Sequence, residues 1–165
     1  MTCRGRTGTG LTAGPADRLQ AVGGAIVALD SGLGHMSEWG IAGEKGGPDG
    51  DWALRPALDE PAPNELTAFI TQLANLRSAN DAAARALNYG AYRNVVIQNK
   101  QLLFERACDD ATVFVAVNAV NEPCTFGAGE LNGSFVDLLA DGVPTVELTG
   151  SLELAPYEVR YLLRA

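Results

Sequence analysis

Seven side chains able to do chemistry crowd one short stretch. Glu44, Lys45, Asp49, Asp51, Trp52, Arg55 and Asp59 all fall between Gly43 and Asp59. An aromatic ring among carboxylates and a guanidinium is the equipment of sugar recognition. The ring stacks on a pyranose face, while carboxylate and guanidinium hold vicinal hydroxyls. The other reading is an ordinary solvated acidic loop in which Arg55 pairs with Asp51. On composition alone the solvated loop is the better reading of Asp51, Trp52 and Arg55.

Other chemistries find less support. A Ser-His-Asp or Cys-His arrangement would need His35, the only His, and no GxSxG elbow is present. Zinc needs several His or Cys ligands, and Cys3, Cys108 and Cys124 stand far apart with no CxxC pair. Gly46-Gly47-Pro48-Asp49-Gly50 matches neither a Walker A loop nor a dinucleotide fingerprint. No metal or cofactor is expected. The chain carries 20 acids against 12 Lys plus Arg, a formal charge of −8, which argues against a nucleic-acid partner. The three cysteines give no disulfide framework, so a reducing, cytoplasmic compartment is expected. No run of 18 apolar residues exists to span a membrane, and no signal-peptide pattern opens the chain.

The elements that would position the loop come next. Residues 37–63 are punctuated by Gly43, Gly46, Gly47, Pro48, Gly50, Pro56, Pro61 and Pro63 and read as loop. Such a length without secondary structure is usually functional. A helix follows over residues 64–77, capped by Asn64, with Leu66, Phe69, Ile70, Leu73 and Leu76 in one apolar stripe. Asn80-Asp81 interrupts it, and Ala82–Leu87 makes a second short helix closed by Asn88 to Gly90.

From Ala91 the period changes to two. Tyr92–Ile97, Gln101–Ala107 and Thr112–Asn118 read as strands joined by Asn99-Lys100 and Asp109-Asp110 turns. Val113, Val115 and Val117 share one face of the third, and Phe114 and Ala116 the other, so it is expected to be central and covered on both sides. Shorter strands are expected near Cys124–Phe126, Ser134–Leu139, Val146–Leu148, Ser151–Leu154 and Tyr157–Leu163. Many short strands with turns between them indicate a mainly β fold, an antiparallel β-sandwich.

The first residues differ. Residues 1–34 hold eight Gly and three Arg against Asp17 and Asp30, a net of +1 that leaves −9 for the remainder. They have no periodicity, and residues 1–36 are expected to be a disordered or non-native leader.

The motifs from Ser37 onward resemble one family in their order. Ser37-Glu38-Trp39-Gly40 precedes a Gly-rich loop carrying Asp51 and, four residues on, Arg55 before Pro56. Leu76-Arg77-Ser78-Ala79-Asn80, Leu87-Asn88-Tyr89-Gly90, Phe104-Glu105-Arg106, Val113 to Asn118 and Leu154-Ala155-Pro156-Tyr157-Glu158-Val159 follow. Each is weak alone. Together they resemble the C-terminal portion of the α-amylase superfamily, glycoside hydrolase family 13.

The resemblance implies a division of the chain. Residues 37–87 would be a remnant of a catalytic (β/α)8 barrel, namely the loop after strand eight and the last helix. Residues 88–165 would be the C-terminal β-sandwich domain. The length excludes a complete barrel, which takes roughly 250 residues. In the family the loop's Asp and Arg contact a glucose unit, a role that Asp51 and Arg55 inherit; Trp52 is a local reading only. The implied partner is an α-glucan or maltooligosaccharide.

The departures from the family matter as much. Retaining hydrolysis needs a carboxylate nucleophile and a second carboxyl group about 5 Å away. In the family both lie upstream of the matched portion, and its Asn-His-Asp motif is missing because His35 follows Gly34. The chain alone is therefore expected to be inactive. Residues 30–36 also replace the family's approach to strand eight. Codons exist for Ala25–Leu33 that read family-like one base later, so a shifted reading frame would account for the expected leader. The alternative function is a non-catalytic α-glucan-binding module with Tyr92, Phe126 or Phe135 as exposed platforms, although core packing suits each better. A helix stripe without its barrel would favour self-association.

Overall fold

The first described helix, α1 (Glu65–Ser78), carries Arg77 in its last turn, as its sequence predicts. The computed structural model describes residues 65–165, with side chains from residue 68 onward. The leader, the 37–63 loop and the Asn64 cap therefore lie outside the described residues. Gln72–Ala165 form one compact unit.

Asp81 does more than interrupt. Its extended backbone (φ −130°) and its Oδ1, which accepts from the Ala84 N–H at 2.7 Å, cap α2 (Ala82–Tyr89). Four of that helix's residues, Ala83, Ala84, Ala86 and Leu87, are buried. Gly90 ends it, donating its N–H to the Ala86 carbonyl at 2.9 Å.

Six strands follow: β1 (Ala91–Gln98), β2 (Gln101–Cys108), β3 (Ala111–Asn118), β4 (Cys124–Asp137), β5 (Thr145–Leu154) and β6 (Val159–Arg164). All pair antiparallel in one sheet of order β1-β2-β3-β6-β4-β5. The fold is mainly β, as the strand run predicts. Both expected two-residue turns are present, since Gln98 pairs with Gln101 and Cys108 with Ala111. Lys100 takes the left-handed backbone (φ 63°) that such a turn demands. β3 is central, between β2 and β6, and is buried from Val113 to Asn118.

The two expected layers are made by one sheet turned back on itself. Val95 and Val96 on one edge strand and Leu148 on the other pack on a single cluster of Leu103, Phe114, Phe126, Leu131, Phe135 and Leu162. Arg93 on β1 reaches across to Glu130 on β4 at 3.0 Å, although three strands lie between them in the sheet. The opposite face of β3 bears Val113, Val115 and Val117, and α2 packs on that side of β2 and β3.

The late strands are longer than their sequence suggests. The expected strands near Cys124 and Ser134 are two ends of β4, and those near Val146 and Ser151 are two ends of β5. Pairing jumps from Gly127–Ser151 to Asn132–Thr149, so Ala128 to Leu131 bulge opposite Gly150, whose φ is +85°. Gly127, Gly129 and Gly133 fall between or beside the two expected strands. They instead belong to a bulged strand that drops Leu131 into the core.

Candidate functional site

Asp51, Trp52 and Arg55 lie outside the described residues. Of the three aromatic platforms considered for sugar, Phe126 and Phe135 are core side chains and only Tyr92 is exposed. Tyr89, almost wholly exposed, lies three residues before it. Among the described residues no group of three or more His, Cys, Asp or Glu could hold a metal ion. No described helix is long and apolar enough to cross a membrane.

The polar cluster that the described residues do bring together lies on the α2 side of the sheet. Its first members join the two helices. Arg77 Nε donates to Asn88 Oδ1 at 2.8 Å, and Asn88 Nδ2 donates to the Arg77 carbonyl at 2.7 Å. The strands supply the rest. Arg106 on β2 pairs with Val113, and Tyr161 on β6 pairs with Val115, so both side chains stand on the Val face of β3, two residues apart along it.

Tyr161 and Arg77 are the desolvated members. Tyr161 is 1% exposed, and burial raises its phenol pKa well above the ordinary value, against a smaller opposing pull from Arg77. Burial lowers the pKa of the Arg77 guanidinium; Tyr161 opposes this and Arg106 adds to it. Among the described residues, three buried atoms here, Arg77 Nη1, Arg106 Nε and Tyr161 Oη, have no hydrogen-bond partner. The sequence gives Arg77 and Arg106 as members of family-like motifs and Tyr161 as a strand residue, and none of the three as part of a site. The available signal was a charge at Arg106 on the face that Leu102 and Phe104 make apolar.

No protein-family model matches the chain, and no curated protein sequence matches it. Solved structures do. AmyP in complex with maltose superposes with a TM-score of 0.68 at 21% identity, covering 94% of this chain and 36% of that one. An α-amylase from Geobacillus thermoleovorans, complexed with acarbose, gives 0.67 at 16% identity over 92% and 34%. An Anoxybacillus α-amylase gives 0.66 at 18% identity over 92% and 33%. The chain thus spans about a third of the length of these proteins. At such identities the likeness establishes fold: this is the fold of the C-terminal region of α-amylases. The resemblance read from motif order is met in three dimensions.

Proposed function

We propose that the chain is the C-terminal part of an α-amylase-type glycoside hydrolase whose whole acts on α-glucosidic bonds of starch, maltodextrin or oligosaccharides. The observation that supports this reading is the agreement between the motif order from Ser37 to Val159 and the α-amylase likeness over 92–94% of the chain. Asp51 and Arg55 hold a glucose unit through bidentate contacts to its hydroxyls, and Trp52 stacks on its face. Nucleophile and acid/base belong to the barrel strands that precede the matched third. The chain by itself binds α-glucan weakly and cleaves nothing. Its compartment is cytoplasmic, in keeping with the free thiols of Cys108 and Cys124.

A hydrolysis assay of the purified chain on maltoheptaose tests this reading. No release of shorter sugars above buffer is expected. Turnover that disappears in Asp51→Ala would show that the chain carries its own catalytic groups and overturn the proposal.

A further inference from the structure

The described arginines divide into two sets. Arg85 is paired with Asp110, Arg93 with Glu105 and Glu130, and Arg160 with Asp137 and Glu158. Arg164 lies over the Phe114 and Phe135 rings and donates to backbone carbonyls. Arg77 and Arg106 are the exceptions. Among the described residues neither has a carboxylate within ion-pair distance, and each keeps a buried donor without an acceptor. Tyr161, 1% exposed, adds a third orphan atom on the same face.

Arg77 and Arg106 are each only half-buried, but their like charges stand side by side and repel, with no counter-ion among the described residues. Each unsatisfied buried donor adds to that cost. A water molecule would satisfy donors but leave two positive charges uncompensated. A metal cation would be repelled. A sugar hydroxyl would bring no charge. A carboxylate answers all three needs. It is acceptor-only, carries one negative charge, and presents two oxygens with about four lone-pair sites to N–H and phenolic O–H donors.

We propose that Arg77, Arg106 and Tyr161 form a carboxylate-binding site on the α2 face of the sheet. The two guanidinium groups donate N–H to the carboxylate oxygens and Tyr161 donates its O–H. Asn88 is a positioning residue, because its bonds to Arg77 hold that guanidinium at the end of α1. The carboxylate is either a small free anion or one carried on a protein side chain.

Titration of the full chain with 13C-formate and with N-acetyl-aspartyl amide, followed by NMR and by thermal melting, tests the site. Sodium chloride at equal ionic strength is the control. At least one carboxylate is expected to bind saturably and raise the Tm, with affinity at least tenfold weaker in Arg106→Gln and in Tyr161→Phe. Tyr161→Phe keeps the buried ring and guards against an Arg106 variant that fails to fold. Tighter binding of formate assigns a free anion, and tighter binding of the amide assigns a side-chain source. No saturable response to either, an equal response to chloride, or undiminished binding in the variants would overturn the proposal. These readouts involve no sugar, so they stand or fall separately from the hydrolase reading.

Discussion

Arg77 and Asn88 hold each other by two hydrogen bonds, one from the Arg77 Nε to Asn88 Oδ1 and one from Asn88 Nδ2 back to the Arg77 carbonyl, at 2.8 and 2.7 Å. One side chain thereby satisfies a carbonyl that the end of α1 leaves open and fixes the guanidinium of the same residue. Asn88→Ala removes both bonds and leaves the charge less solvated. Hydrogen bonds to charged groups are worth about 1.5–3 kcal/mol. Urea unfolding is expected to show a loss of that order. Asn88→Asp, which keeps the acceptor and supplies a negative charge, is expected to lose less.

Gly90 is needed for space and not for its backbone freedom. Its φ of −63° suits any residue, yet a Cβ there would stand 2.5 Å from the Ala86 carbonyl oxygen and 2.8 Å from that of Ala107. Both obstacles are backbone, so no side chain can swing aside. Gly90→Ala must part α2 from β2, and overpacking of this kind costs about 1–3 kcal/mol. A lower urea midpoint with an unchanged m value is the expected result.

Phe135 and Arg164 make a contrast in the cost of losing a ring and losing a charge. Phe135 is fully buried, edge-on to Phe114 at 5.9 Å, and Arg164 lies 5.1 Å above its ring. Phe135→Ala is expected to cost about 3–5 kcal/mol in denaturant unfolding. Arg164 is exposed, and its loss to Ala should cost less than roughly 1 kcal/mol.

Local signals in the sequence carried the hairpins and the central strand. The two-residue turns at Asn99-Lys100 and Asp109-Asp110 interrupt clean alternation, and the doubly apolar β3 has no other place than the middle of a sheet. The single long β4 read as two strands, because the bulge that joins its ends is set by the register of the partner strand. The polar cluster depends on β6 inserting between β3 and β4, which puts Tyr161 on the same face as Arg106. That pairing of distant segments leaves no local trace. The reverse holds for Asp51 and Arg55, which only the family resemblance brings forward.

The closure of the sheet makes a pH-dependent contribution. Arg93 bridges Glu105 at 2.8 Å and Glu130 at 3.0 Å, tying β1 and β2 to β4. Its hydrogen bond, with a backbone donor behind it, holds the Glu130 carboxyl below the ordinary glutamate value. Folded Glu130 therefore binds a proton less readily than the unfolded chain does. The stability it contributes is present above the unfolded pKa of roughly 4.3 and is lost as pH falls through the depressed folded value. Both side chains are more than a third exposed, so the contribution is small and salt weakens it. Thermal melts of the full chain and of Arg93→Met from neutral to acid pH are expected to show a gap in Tm that is widest near neutrality. The gap should narrow as Glu130 protonates and shrink in 1 M salt. A gap independent of pH would mean that Arg93 acts through the packing of its stem alone.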